Sequence, residues 1–206
     1  VGGMPLNEKH YASLNQSDAQ KHLIHTFNCS NSTEHIADFL NISEHVSTIS
    51  TACSSSSNAI MNGARMLKSG MLDRVVVGGT DVLTQFAING FNSLEILSKQ
   101  PCRPFDKQRN GITLGEGAAF LVLETTETAD ESSIMCEVSG YMNACDAYHQ
   151  TASSPEGIGA SMAIKGALES ANLQPSNIDY INAHGTGTEL NDISEGKAIM
   201  NVFGDN

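Results

Sequence analysis

The sequence predicts an α/β fold with parallel strand pairing, built from two related halves of which the second is incomplete. Three observations carry this reading. Short β-branched stretches alternate with stretches whose apolar residues recur at helical spacing. A polar, acidic segment at residues 124–133 then interrupts the pattern. Beyond it the alternation begins again. The halves are accordingly residues 1–130 and 131–206.

Taken in order, residues 1–35 are polar and rich in His and Ser, with little periodicity. A helix is expected around 33–40, where Ile36, Ala37, Phe39 and Leu40 fall on one side. Residues 45–51 alternate through Val46, Thr48, Ile49 and Thr51 and predict a strand. It stops at Ala52-Cys53. From 54 to 68 the spacing becomes helical, with Ala59, Ile60, Gly63, Ala64 and Leu67 forming an apolar stripe and Gly70 closing the helix. Residues 74–79 (Arg-Val-Val-Val-Gly-Gly) predict a buried strand, and 91–97 a short helix. The basic stretch 99–109, with Pro101 and Pro104, reads as a loop. Residues 112–114 and 118–123 read as two strands around a Gly115-Glu116-Gly117 turn. Past the acidic segment come a strand at 135–139, a helix at 159–171 and a strand at 178–182 that leads into His184-Gly-Thr-Gly-Thr.

Composition narrows the function classes. Hydrophobic residues make up 40% and charged residues 17%, enough to build a core and too little charge for wholesale disorder. The longest apolar runs are far too short to cross a bilayer, so no membrane span is expected. No basic start followed by an apolar stretch marks a signal peptide, although the chain opens on Val1. Five cysteines, at 29, 53, 102, 136 and 145, are scattered without a CxxC and suit reduced thiols in a cytoplasmic setting. The sequons at Asn15, Asn28, Asn31 and Asn41 lie in an Asn- and Ser-rich stretch and read as chance matches. A net charge of −12 argues against nucleic acid as a partner. Seven of the eleven basic residues nevertheless fall between 65 and 109, either as ordinary solvated surface or as a patch for an acidic partner. No metal or nucleotide motif is visible, so no cofactor is expected; Gly115-Glu116-Gly117 is too short a signal for phosphate.

Cys53 stands apart because it sits where a predicted strand gives way to a predicted helix, in Ser50-Thr-Ala-Cys-Ser-Ser-Ser-Ser-Asn-Ala59. The first turn of a helix carries unpaired N–H groups and a partial positive charge, which favour thiolate over thiol. Thiolate is the attacking form, so this position activates a cysteine without an adjacent base. The alternative, a small buried hydrophobe, holds for Cys29, Cys102, Cys136 and Cys145. Ser54 to Ser57 read as small cap-favouring residues rather than as nucleophiles. His184 follows a predicted strand, with glycines that let its loop enter a cleft.

These segments, taken together, resemble the β-ketoacyl-acyl carrier protein synthases of the thiolase superfamily. Residues 50–59 resemble the family's active-site segment, and Val77-Gly-Gly-Thr-Asp81 the strand and turn that follow. Cys102-Arg-Pro-Phe-Asp-Lys-Gln-Arg-Asn-Gly111 with Gly115-Glu-Gly-Ala118 resembles the next block, and Asn182-Ala-His-Gly-Thr-Gly-Thr188 the segment of the first catalytic histidine. The resemblance implies a thiolase-like fold, two related α/β halves of a layered α-β-α-β-α architecture with the second half incomplete. It implies a decarboxylative Claisen condensation in fatty acid or polyketide-type synthesis, with Cys53 and His184 catalytic. Thr186 and Thr188 would contact the phosphopantetheine arm, and Phe91 would line the acyl tunnel. Glu116, Asp192 and Glu195 would be structural supports, and His149, in Asp146-Ala-Tyr-His149, would lie near the site's mouth. The partner would be acyl carrier protein, docking on the basic loop from Lys99 to Arg109, above all on Lys99 and Arg103; the chain would pair as a homodimer or a ketosynthase heterodimer.

The chain departs from the family pattern at residues 40–45, Leu-Asn-Ile-Ser-Glu-His, which replace a glycine- and proline-containing turn. It also ends at Asn206, before the family's lysine, second histidine and further glycine-rich segment. The expectation is that these 206 residues alone do not condense. Two alternatives stay open. One is a thiolase or hydroxymethylglutaryl-type synthase, which His-Gly-Thr-Gly-Thr fits less well. The other is a non-catalytic, chain-length-factor-like partner subunit, which typically lacks the nucleophile that Cys53 supplies here.

Overall fold

A computed structural model of the chain describes residues 28–149 and 152–204. The readings for the N-terminal polar stretch, including His10, His22 and His25, lie outside the described residues. Two compact units result, Val1–Leu94 with Leu114–Ala129, and Glu95–Thr113 with Asp130–Asn206.

In the first unit, helix α1 (Cys29–Leu40) ends at Asn41, whose φ of 56° is left-handed and whose N–H donates to the Asp38 carbonyl. Helix α2 (Ser55–Lys68) carries the predicted apolar stripe and stops at Gly70, with φ 71°, as that residue's freedom allows. Strand β1 (Arg74–Asp81) follows, then helix α3 (Gln85–Ser93) and strand β2 (Gly117–Glu124). β1 and β2 pair antiparallel over their whole length, from Arg74 opposite Glu124 to Asp81 opposite Gly117. The first of these pairs is an ion pair, with Arg74 Nη2 2.6 Å from Glu124 Oε1. α2 packs across β1, and Leu67 and Val77 are buried at that contact surface. Gly63 makes the close approach possible: a Cβ there would lie 2.7 Å from Val77 Cγ1 and 3.0 Å from Val75 Cγ1.

The second unit is built on helices α4 (Ile158–Ala171) and α5 (Glu189–Phe203), which pack on each other. Ala198 of α5 is fully buried, and Ser194 Oγ donates to the Ser154 carbonyl at 2.7 Å. The stretch before α4 is thereby tied to the middle of α5.

Six sequence expectations change here. Residues 45–51, 135–139 and 178–182 carry no strand ladder, and 112–114 contributes only a single parallel bridge between Ile112 and Leu97. The helix expected at 91–97 runs from Gln85 to Ser93 instead, started by Thr84, whose side chain accepts from Ala87 N–H. The one ladder among the described residues is antiparallel, not parallel. A period-2 pattern reports which faces a stretch could bury. A strand also needs a neighbour to take its backbone hydrogen bonds, and these mostly exposed stretches have none among the described residues.

Gly63→Leu should force α2 off β1. We expect a loss of about 1–3 kcal/mol of stability, read as a lower urea midpoint at unchanged slope.

Candidate active site

Cys53 lies in a single 3₁₀ turn, Ala52–Ser54, that runs directly into α2. The turn is sharp. Ala52 has a φ of 52°, a left-handed conformation that costs a non-glycine residue about 1–2 kcal/mol. Neighbouring side chains hold it. Ser54 Oγ donates to the Thr51 carbonyl at 2.8 Å and Ser55 Oγ to the Ala52 carbonyl at 2.7 Å. Thr51 N–H donates to Ser55 Oγ at 2.8 Å, and buried Asn58 donates from Nδ2 to Thr51 Oγ1 at 2.8 Å. The serines therefore secure the turn rather than cap the helix, since no side-chain cap bond forms at Ser54. The result is an exposed thiol at the N-terminal end of a 14-residue helix. That end directs the positive potential of the helix at a thiolate or an oxyanion.

Within the same unit, a cavity of about 630 Å³ opens between residues 45–50, α2 and β1, with Cys53 in its wall. Phe91 is half-buried on α3 and is not part of that wall. Glu116 Oε2 accepts from Leu83 N–H at 3.0 Å, tying the segment after β1 to the glycine turn before β2.

In the second unit the His184 loop is anchored by α5. Glu195 Oε1 accepts from His184 N–H at 2.6 Å and Glu195 Oε2 from Gly185 N–H at 2.8 Å. Asp192 Oδ1 accepts from Gly187 N–H at 3.1 Å, while its Oδ2 accepts from Phe105 N–H at 2.6 Å. The i, i+3 spacing of Asp192 and Glu195 thus puts both carboxylates over the same loop. The Thr186 and Thr188 hydroxyls share a 2.8 Å hydrogen bond, and Thr188 begins α5. The 102–111 segment closes the other side: Cys102 Sγ donates to the Thr186 carbonyl at 3.1 Å, and Gly111 N–H donates to the Gly187 carbonyl at 3.0 Å. Gly187 has a φ of 71°, and a Cβ on it would sit 2.7 Å from Cys102 Sγ, so only glycine fits.

Of the basic loop, Lys99 and Arg103 are exposed. Arg109 is turned inward and its Nε lies 3.5 Å from Asp192 Oδ2. Sequence reading missed this role for Arg109, and it missed the Cys102 thiol and the Phe105 N–H as loop anchors. Their partners lie about eighty residues away in the chain, beyond the reach of any helical or strand period. His149 is exposed, three residues after Asp146. Among the described residues no group of three His, Cys, Asp or Glu side chains is placed to hold a metal ion.

Comparisons with known proteins identify the family to which this fold belongs. The models for the N-terminal and C-terminal domains of β-ketoacyl synthase match residues 1–129 and 135–206, and the chain belongs to that family. It is 40% identical over 163 residues to 3-oxoacyl-[acyl-carrier-protein] synthase 2 of Staphylococcus aureus, covering 75% of this chain and 40% of the relative. The enzyme of the same name from Synechocystis sp. is 42% identical over 163 residues, covering 75% and 39%. Among solved structures, a ketosynthase in complex with its chain length factor from Xenorhabdus doucetiae matches at 39% identity and a TM-score of 0.83, over 97% of this chain and 49% of that one. A β-ketoacyl synthase from Burkholderia phymatum matches at 29% identity and a TM-score of 0.88, over 98% and 52%. The fold is therefore the thiolase-like one of the ketosynthases, and the chain spans about two-fifths of the length of the curated relatives.

Asp146 supplies a pH test of the loop near His149. Its carboxyl is held below the ordinary 3.8, first by the Ser154 N–H and then by the Tyr148 N–H. A lowered value means the anchoring is complete above the ordinary carboxylate range and is lost as pH falls through the lower, folded value. The Ser154 amide proton resonance should shift on acidification below 3.8, and Asp146→Asn should abolish that titration.

Proposed function

We propose that the chain is the nucleophile-bearing part of a β-ketoacyl-acyl carrier protein synthase. The observation that carries this is Cys53 held on a strained turn at the start of α2 in a member of the β-ketoacyl synthase family. In the reaction, the Cys53 thiolate attacks an acyl thioester, releases the carrier thiol and keeps the acyl group. A malonyl thioester then loses carbon dioxide and becomes an enolate, whose oxygen is stabilised by a hydrogen bond from His184. The enolate carbon attacks the acyl carbonyl, the carbon–sulfur bond breaks, and the Cys53 thiolate is regenerated with release of a β-ketoacyl thioester. The Glu195 and Asp192 anchors fix the backbone that carries His184, so its donor needs no reorganisation as charge develops. In this reading Thr186 and Thr188 face the pantetheine arm and Phe91 the acyl chain, with Glu116 as support. The work is done in the cytoplasm by a chain that pairs with a second copy or with a ketosynthase partner, and whose substrates ride on acyl carrier protein. No helix of the described residues is long and apolar enough to cross a membrane. A chain-length-factor-like role fits less well, because such a subunit has no use for the anchored nucleophile turn. A thiolase-type acyltransferase is disfavoured by His184-Gly-Thr-Gly-Thr. The two-half division at 1–130 and 131–206 belongs to the same proposal.

Incubation with an acyl carrier protein thioester should add one acyl mass to the chain, mapped by peptide mass spectrometry to Cys53 and absent in Cys53→Ala. An adduct elsewhere, or none on folded material, sinks the nucleophile assignment. If Lys99 and Arg103 form the docking face, the charge reversals Lys99→Glu and Arg103→Glu should raise the carrier-protein KM for this loading about tenfold at low salt, an effect that fades as salt is added. A salt-independent or unchanged KM would remove them from the docking surface.

A further inference from the structure

We infer that Arg109 is a positioning residue for His184, acting through Asp192 and the carbonyls that open α5; the inference rests on the synthase reading above. Arg109 differs from its neighbours in the basic loop. Its side chain is 17% exposed, whereas Lys99, Arg103 and Lys107 face solvent. All three guanidinium nitrogens are used. Nε donates to the Thr188 carbonyl at 3.4 Å, 3.5 Å from Asp192 Oδ2, while Nη2 donates to the Glu189 carbonyl at 3.1 Å. Nη1 donates to the Asp106 carbonyl at 3.0 Å, in the turn that precedes Arg109 itself.

The electrostatics identify what this arrangement is for. A cation beside the first turn of a helix opposes the helix dipole. Arg109 sits there because Asp192, only 1% exposed, holds a carboxylate that needs a counter-charge. Asp192 Oδ1 in turn accepts from Gly187 N–H in the His184 loop and, at 3.3 Å, from Asn191 Nδ2, while Oδ2 accepts from Phe105 N–H in the 102–111 segment. Arg109 therefore closes a ring: its own segment, Asp192, the His184 loop and the start of α5. A planar fork can serve a carboxylate and separate carbonyls together, which the single ammonium of lysine cannot. A buried ion pair adds little stability for its own sake, so the reason to keep one here is geometric.

The experiment is amide hydrogen exchange by NMR on the 206-residue chain, comparing wild type, Arg109→Gln and Arg109→Lys. In Arg109→Gln the Gly187 and His184 amides should exchange about tenfold faster, and the His184 ring resonances should move. The α4 amides serve as the control and should not change. Arg109→Lys should loosen the same amides, because charge without the fork does not span the contacts. It also retains a cation for Asp192 and so carries the test if Arg109→Gln unfolds the α4 control. Asp192→Asn combined with Arg109→Gln should be no worse than the poorer single variant, as expected for two parts of one unit. Wild-type exchange at Gly187 and His184 in Arg109→Gln, or full restoration by Arg109→Lys, would overturn the inference. Neither readout uses turnover. Failure of Cys53 to load acyl groups would instead strike the synthase reading, and with it the catalytic consequence drawn here.

Discussion

Two carboxylates one helical turn apart, reaching back from α5 to the backbone that precedes it, are the contacts on which the order of the His184 loop depends. A glycine-containing loop has many conformations, and a side chain mounted on it has a defined position only when one is selected. Glu195 takes the N–H groups of His184 and Gly185, and Asp192 takes that of Gly187. Three backbone donors in four residues are thus satisfied by one helix face. A carboxylate accepts such bonds more strongly than a neutral carbonyl would. The 102–111 segment, wrapped against the far side through Cys102, Phe105 and Gly111, keeps the loop from swinging away.

The first unit solves a related problem by local means. The turn that carries Cys53 is held by Thr51, Ser54, Ser55 and Asn58, all within eight positions of chain. The left-handed Ala52 stores strain that those hydroxyl and amide bonds offset. Behind the turn, Gly63 lets α2 settle on β1, so a rigid helix carries the thiol rather than a flexible arm. The Cys53 turn is therefore secured by short-range bonds alone, whereas the His184 loop is held both by nearby α5 and by the distant 102–111 segment, and only that last set left no trace to read in advance.

The positions of α1, α2, β1, α4 and the termination at Gly70 were legible because each rests on a period in its own residues. So was the placement of Cys53 at a helix start. The alternating stretches at 45–51, 135–139 and 178–182 misled for a physical reason: alternation describes side chains, whereas a strand is defined by a neighbouring backbone. α3 was displaced because Thr84 supplies a cap that outweighs the apolar residues further along.

What the sequence determined by itself was the family, the helix start at Cys53 and the helices α2 and α4, since local periodicity and contiguous motifs hold that information. Tertiary structure alone decided the antiparallel pairing of β1 with β2, the inward turn of Arg109 and the use of Cys102 and Phe105 to brace the loop. Those outcomes depend on which distant backbone and side-chain groups meet. A hydrogen bond or ion pair between residues eighty apart leaves no period for a single sequence to show.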